Sequence, residues 1–201
     1  MSKLKQQLQQ VRQHAIVGAV NRLLATKGYD LMTVDEVAAE AGLAKASLYK
    51  LFSSKEALAG AAMVQLLDRV LAVAVDLQQK LDASPLDRLK AVARWAMQTQ
   101  LNGEMPSLPA QNSALSASLR GNSDYMDRLF ELSDKLGVWI TTAQSSGLID
   151  AKLPAELVLY TLFARACDPV LGMLKASGAY VDGQIVEWLI QTTFEGMRGQ
   201  V

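Results

Sequence analysis

The chain has 201 residues, half of them hydrophobic, with 20 basic and 20 acidic side chains and a formal net charge of zero. Such a hydrophobic content supports a sizeable core and argues against disorder, and the length allows one large domain or two small ones. The sole cysteine, Cys167, excludes a disulfide within the chain and is typical of a reducing cytoplasm. Charge interrupts the apolar stretches before about 18 residues and the polar start does not resemble a secretory signal, so we expect neither a membrane span nor export.

The charge is unevenly distributed along the chain. Residues 1–53 carry seven basic and four acidic side chains, which leaves the remaining residues mildly acidic. This asymmetry is typical of a basic nucleic-acid-binding domain attached to an acidic body. Lys3, Lys5 and Arg12 offer a basic arm, although we expect a disordered, solvated tail before the first helix.

The first predicted helix ends near Lys27, where Gly28 provides a stop signal. Thr33 and Glu36 have the spacing of a capping box, which predicts that a second, short helix begins there. Gly42 is expected to end it, because glycine adopts the left-handed conformation of a tight turn without steric cost. The apolar positions that define these two helices are Ile16, Val20, Leu23 and Leu24 in the first, and Val34, Val37, Ala38 and Ala41 in the second.

A third helix is predicted over residues 44–51, with Leu43 and Leu48 holding it on the core. Ser53 and Glu56 form a second predicted capping box, which opens a long helix that ends near Lys80. Two helices joined by a tight glycine turn and preceded by a packing helix make a helix-turn-helix. We therefore assign residues 1–55 to a helix-turn-helix DNA-binding domain, with the fourth helix, from about residue 54, linking it to the body.

The rest of the chain is also predicted to be helical. No segment alternates between apolar and polar residues with the period of a strand. Glycine, asparagine and proline separate helices predicted over residues 85–101, 109–120, 123–145, 154–176 and 183–198, with a kink at Pro169. The predicted fold is all-α, with residues 56–201 forming a helical effector-binding and dimerisation domain.

Six short motifs follow one another in order through the first quarter of the chain. They are Gly28-Tyr29-Asp30, Thr33-Val34-Asp35-Glu36-Val37-Ala38, Glu40-Ala41-Gly42-Leu43, Ser47-Leu48-Tyr49, Phe52 and Ser54-Lys55-Glu56-Ala57-Leu58. Together they resemble the N-terminal signature of the tetracycline-repressor (TetR) family of transcriptional regulators. The later helices resemble the family only in being helical.

The resemblance implies roles for seven residues. Lys45, Ala46 and Ser47 would approach base edges in the major groove; Thr33, Tyr49 and Lys55 would contact phosphates; Lys50 would lie at the groove edge. Leu51 stands where the family often has a polar residue, which favours an apolar contact with a thymine methyl. Each role has a structural alternative: Thr33 is a helix cap, Tyr49 can pack against the first helix, and the lysines can be solvated charges.

The resemblance also implies a homodimer on a palindromic operator in double-stranded DNA, controlled by a small-molecule effector. The last two long helices would pair between subunits, and intramolecular packing is the alternative for the same residues. The predicted interface residues are Leu157, Thr161, Ala164, Arg165, Ile185, Trp188 and Leu189. Arg165 and Asp168 are spaced to pair with each other, across the dimer, or as a solvated pair.

An effector pocket is expected among the middle helices, for an uncharged or weakly polar, partly aromatic molecule. Plain core packing is the alternative for each of its predicted lining residues, Trp95, Met126, Phe130, Trp139, Tyr160, Phe163 and Met173.

Other classes of function have less support. The single histidine, His14, lies in the first predicted helix, and the sequence offers no metal-ligand cluster, phosphate-binding glycine loop or Ser/His/Asp set. We therefore expect a cytoplasmic, nucleoid-associated regulator without a cofactor, and not an enzyme. Two alternatives remain open. The helix-turn-helix could serve protein contacts or non-specific DNA binding, and the regulator could activate transcription and not repress it.

Overall fold

The computed structural model describes residues 3–80, 82–106 and 113–199, and every regular element in those ranges is helical. The predicted all-α fold is therefore confirmed. A 3-10 turn over Arg165–Cys167 separates the eighth and ninth helices. The helices are α1 (Lys3–Leu31), α2 (Val34–Glu40), α3 (Lys45–Tyr49), α4 (Lys55–Gln79), α5 (Pro85–Leu101), α6 (Ala114–Arg120), α7 (Ser123–Ser145), α8 (Ala155–Ala164), α9 (Pro169–Ser177) and α10 (Asp182–Glu195).

The chain divides into two compact units. The first unit comprises residues 1–66 and 103–126, and the second comprises residues 67–102 and 127–201. Both α4 and α7 contribute residues to each unit. The first unit thus contains the segment predicted to bind DNA together with α6. The functional division into residues 1–55 and 56–201 stays a prediction.

The first turns of α1 are helical, so the expected disordered tail is wrong for the residues that the structure describes. α1 begins at Lys3 and continues into turns whose apolar side chains, such as Ile16 and Val20, are fully buried. Glutamine, leucine, lysine and arginine are good helix formers, and neither glycine nor proline occurs before Gly18. The anchored part of the helix therefore extends towards the N-terminus at little cost.

Gly28 breaks α1, as predicted. Its backbone has φ 75° and ψ 174°, and residues 29–31 form a further turn beyond this kink. A residue with a β-carbon would be strained at this φ, whereas glycine adopts it freely.

The two predicted capping boxes have different outcomes. At α2, the Thr33 hydroxyl accepts from the Glu36 amide at 3.2 Å and the Glu36 carboxylate accepts from the Thr33 amide at 3.0 Å, which confirms the first box. The box on Ser53 is wrong, because Ser54 accepts from the Ala57 amide at 3.0 Å and α4 begins at Lys55. The Glu56 carboxylate is instead bonded to another helix.

The helices of the second unit follow the predicted pattern with one interruption. The bounds of α5 and α7 match the predicted ranges, whereas the predicted helix over 154–176 is divided in two. Asp168 has ψ 115° and caps α9 by accepting from the Val170 amide at 3.0 Å. Pro169 opens α9, which confirms the predicted kink and follows from its missing amide hydrogen. Of the helix predicted over 109–120, residues 109–112 lie outside the described part of the chain.

Two helical segments, Lys55–Gln79 and Ala155–Ser177, are long and apolar enough by composition to span a membrane. Half of the apolar stretch within Lys55–Gln79 is buried in the chain, as is typical of a core helix in a packed helical unit. The second segment is interrupted by the 3-10 turn and by Pro169. One or two such helices are weak evidence for a membrane, and the expected absence of membrane contact stays a prediction.

Candidate nucleic-acid interface

A buried cluster in the first unit fixes the position of α3. Leu48, the only buried residue of α3, is fully enclosed together with Ile16 and Val20 of α1 and Val37 of α2. Leu48 therefore attaches this short helix to the core and Leu43 packs against the same cluster, as the sequence predicted. The other faces of α3 are left for contacts outside the unit.

A tight turn sets the direction of α3 relative to α2. Gly42 has φ 66°, and the Leu43 amide donates to the Ala38 carbonyl at 2.9 Å. The turn closes at the end of α2 and aligns the next helix through local hydrogen bonds. At the other end, the amides of Leu51 and Phe52 both donate to the Leu48 carbonyl and terminate α3.

Four of the predicted DNA-contacting residues share one accessible face of α3 and its C-cap. Lys45, Ala46, Tyr49 and Lys50 are exposed, and Ser47 is half-buried. Positions i, i+1, i+4 and i+5 lie on one side of a helix, so these side chains point in a common direction. The Tyr49 side chain is 49% exposed, and its hydroxyl is thus available to a partner outside the unit.

Lys45 has an acidic partner across the turn. Its ammonium lies 2.9 Å from the carboxylate of Asp35 on α2, and both side chains are largely exposed. The hydrogen bond from Lys45 to Asp35 raises the pKa of the lysine, so its positive charge is secure. The first cation of α3 is therefore held in place before any DNA arrives.

Two further ion pairs connect α2 to α1. Arg22 binds Glu40 at 2.5 Å, and Lys27 donates to Glu36. The bond from Lys27, assisted by those from Thr33, holds the pKa of Glu36 below its ordinary value. Since exposed ion pairs contribute little stability singly, their main consequence is that the acidic charges of α2 are locally neutralised.

Thr33 and Lys55, two predicted phosphate contacts, already have partners within the unit. The Thr33 hydroxyl donates to the Glu36 carboxylate at 3.0 Å as part of the capping box. The Lys55 ammonium lies 4.3 Å from the centre of the Tyr29 ring and 3.4 Å from the Asp30 carbonyl oxygen. A cation over an aromatic face is held electrostatically, so Tyr29 positions this lysine at the start of α4.

A hydrogen bond from Tyr29 to Glu56 joins the end of α1 to the start of α4. The Tyr29 hydroxyl donates to the carboxylate at 2.5 Å. Burial and this acidic partner raise the pKa of Tyr29, and the bond from Tyr29 lowers the pKa of Glu56. The pair thus favours a neutral phenol and an ionised carboxylate.

A groove beside α3 was not predicted from the sequence. It has a volume of about 470 Å³. Its α1 wall consists of residues spaced i, i+3, i+4 and i+7, a helical stripe that is visible in the sequence but lies in the segment expected to be a tail. The lining residues are Lys5, Leu8, Gln9 and Arg12 from α1, and Leu43, Ser47, Lys50 and Leu51 from α3 and its flanks.

Comparison with known proteins agrees with this geometry. Residues 16–62, which contain most of the buried cluster of the first unit and all of α2 and α3, match the family model described as bacterial regulatory proteins, tetR family. This segment therefore resembles the bacterial regulatory proteins of the tetR family. The predicted resemblance is therefore confirmed, and the family is one of transcriptional regulators that bind DNA.

Solved structures share the fold of this chain over nearly its whole length. The fatty acid degradation regulator FadR of Bacillus halodurans has a TM-score of 0.69 at 16% identity, covering 94% of this chain and 97% of the other. FadR of Bacillus subtilis in complex with stearoyl-CoA has a TM-score of 0.66 at 19% identity, covering 92% and 99%. A TetR family transcription regulator of Marinobacter aquaeolei VT8 has a TM-score of 0.65 at 18% identity, covering 97% and 100%. No match is found among curated proteins.

The residues predicted to line an effector pocket differ in how far they are buried. Trp139 is buried, with the Arg88 guanidinium 5.9 Å from its ring centre, whereas Tyr160 and Met173 are 65% and 71% exposed. An enclosed pocket needs buried lining side chains, so the latter two are surface residues in a single chain. The remaining predicted residues are Trp95, Met126 and Phe163, which are half-buried, and Phe130, which is exposed.

The predicted dimer residues form three groups. Leu157, Thr161 and Arg165 line a groove of about 370 Å³ together with Thr192 of α10 and Gly196, the C-cap of that helix. Ile185 and Leu189 are instead buried in the core of their own unit, which is the intramolecular alternative for these positions. Ala164 and Trp188 are exposed.

Arg165 and Asp168 pair with each other within the chain. Their closest atoms lie 2.6 Å apart, and the Asp168 side chain is 3% exposed. The Gln100 side chain donates to the Asp168 carbonyl at 3.1 Å and accepts from its amide at 3.2 Å. These contacts fix the break between α8 and α9.

Proposed function

We propose that the chain is a ligand-responsive repressor, a homodimer that binds a palindromic operator in double-stranded DNA and leaves it when a small, mostly apolar molecule binds the second unit. One observation carries the DNA-binding part: α3 presents Lys45, Ala46, Tyr49 and Lys50 on one exposed face while Leu48 anchors it. This is the arrangement that a recognition helix needs in the major groove. Such a protein acts on the nucleoid in the cytoplasm, without a cofactor and without catalysing a reaction.

In this proposal Lys45, Ala46 and Ser47 contact base edges and Lys50 lies at the groove edge. Tyr49 donates its hydroxyl to a phosphate, and Thr33 and Lys55 add phosphate contacts from the starts of α2 and α4. The contacts already made by Thr33 and Lys55 keep these groups in place before binding. A preorganised donor loses less conformational entropy when it binds.

Exposed apolar side chains on α8 to α10 support the homodimer. Leu157, Tyr160, Met173 and Trp188 are 51%, 65%, 71% and 43% exposed. Large apolar surfaces of this kind are rarely left in water and mark protein interfaces. We assign Leu157, Thr161, Ala164, Arg165 and Trp188 to the twofold contact, with Ile185 and Leu189 supporting it from the core.

The chemical class of the effector is inferred from the apolar character of the second unit and from the fold that the chain shares with FadR. The Bacillus subtilis FadR structure holds stearoyl-CoA, so a long acyl chain is a suitable first probe for this protein. The predicted lining residues Trp95 and Phe163, which are half-buried, offer aromatic surfaces for such a chain. A ligand releases DNA only if its affinity differs between the bound and free conformations.

Footprinting with the purified chain tests this proposal. A protected palindrome in genomic fragments, lost on adding stearoyl-CoA but not coenzyme A, supports a ligand-responsive regulator. Uniform protection without a preferred site would instead establish an architectural protein. If a palindrome is protected but no acyl compound releases the protein from it, the proposal of a sequence-specific repressor stands and the assignment of an acyl effector is wrong.

A further inference from the structure

The groove between α1 and α3 has the composition of a binding site for a sugar–phosphate strand. Lys5, Arg12 and Lys50 supply three cations, and none of the described lining residues is acidic. Leu8, Leu43 and Leu51 give the same groove apolar surface. A nucleic-acid backbone presents anionic phosphates and apolar deoxyribose faces in alternation, which matches this combination of side chains.

The groove is continuous with the proposed recognition surface. Ser47 and Lys50 line it and also belong to α3 and its C-terminal cap, whose exposed face carries the residues assigned to the operator. A duplex that binds this face of α3 therefore brings one of its strands against the α1 side of the groove. A small anion would not need a groove of about 470 Å³ that opens beside a recognition helix.

We infer that the first turns of α1 form a second DNA-binding element, which with α3 clamps the sugar–phosphate backbone flanking each half-site. Lys5 and Arg12 bind phosphates on the α1 side, and Lys50 binds from α3. Leu8 and Leu51 pack against deoxyribose. This inference rests on the proposed function and adds residues that lie outside 16–62, the range that matches the family.

The salt dependence of operator binding tests the inference, because removing one phosphate-binding cation lowers the slope of log affinity against log salt by about 0.9. Lys5→Ala and Arg12→Ala keep α1 helical, since alanine has the highest helix propensity. In a dimer each substitution removes two such cations, so each should lower the slope by about 2 and weaken binding at least about fivefold near physiological salt. Lys152→Ala, an exposed charge in the second unit, is the matched control.

The outcomes separate this inference from the function on which it rests. If the wild type binds no preferred DNA sequence, the proposed function fails. If the wild type binds its operator and both variants retain its affinity and salt slope while remaining folded, the α1 element is wrong and the function stands. If Leu8→Ala weakens binding but the two charge variants do not, the groove is a packing feature and not a phosphate site.

Discussion

Lys45 and Asp35 form an ion pair across the turn of the helix-turn-helix, with 2.9 Å between ammonium and carboxylate. The lysine opens α3 and is assigned to base edges, whereas the aspartate lies in the first turn of α2. DNA must therefore share this ammonium with Asp35 or displace the carboxylate. The aspartate orients the lysine and also opposes the approach of phosphates.

Asp35→Asn should tighten operator binding by about threefold to tenfold, because the substitution frees Lys45 and removes a negative charge near DNA. Binding titrations at two salt concentrations measure the change. Glu40→Gln is the control, since Glu40 pairs with Arg22 of α1 and not with α3. Equal tightening by both variants would mean a general charge effect and contradict a specific role for Asp35.

Tyr49→Phe should weaken operator binding roughly tenfold without changing stability, because the exposed hydroxyl is assigned to a charged phosphate oxygen. A titration at fixed salt, accompanied by thermal unfolding, measures both quantities. Tyr180→Phe removes a hydroxyl from a comparably exposed tyrosine of the second unit and should have no effect. Unchanged affinity in Tyr49→Phe would remove this residue from the contacts.

Tyr29→Phe should lower the free energy of unfolding by about 1–2 kcal/mol at neutral pH, because the Glu56 carboxylate loses its phenol donor. Tyr125→Phe is the control, since the Tyr125 hydroxyl makes no hydrogen bond within the part of the chain that the structure describes. Urea unfolding at neutral pH measures both variants. An equal loss in both would indicate a packing effect and not the loss of the bond to Glu56.

The effect of Tyr29→Phe should also depend on pH. The pKa of Glu56 is lowered in the folded chain, so the stabilisation is complete above its ordinary value of 4.5 and is lost as the pH falls through the lowered pKa. The difference in unfolding free energy between wild type and Tyr29→Phe should therefore shrink in acid. A constant difference from neutral pH down to about pH 3 would show that ionised Glu56 is not the partner that matters.

Leu157→Glu combined with Trp188→Glu should convert the proposed dimer to monomers, because it places charges on the exposed apolar surface of α8 and α10. Sedimentation velocity at micromolar concentration measures the assembly. Val138→Glu, at a 62% exposed apolar position of α7, is the control and should leave the dimer intact. A double variant that remains dimeric and folded would place the interface elsewhere.

Local signals were predictable from the sequence, and distant partners were not. The Thr33–Glu36 box and the turns at Gly28 and Gly42 depend on residues within a few positions of each other. At Ser53 and Ser54, however, two adjacent serines offer alternative caps. The bond between Glu56 and Tyr29, 27 residues away, favours the second arrangement, and no periodicity reveals such a contact.

The predicted sites show the same limit. Periodicity places Ile185, Trp188 and Leu189 on one side of α10. It does not reveal which of these side chains are buried by other residues of the second unit and which stay exposed. The structure buries Ile185 and Leu189 and leaves Trp188 exposed. The α1 stripe through Lys5 and Arg12 is likewise periodic, yet its relation to Lys50 depends on the tertiary fold.

Selection of bound sequences from a random duplex pool, at near-physiological salt, is the sharpest test of whether the chain is a dimeric, sequence-specific DNA-binding protein. A dimer with one α3 per subunit should enrich a palindrome whose half-sites lie about 34–36 Å, or one helical turn, apart. Tyr49→Phe should enrich the same palindrome with lower affinity, because a phosphate contact carries no sequence information. If the folded, dimeric wild type enriches no motif, the chain is not a sequence-specific regulator and the proposed function is wrong.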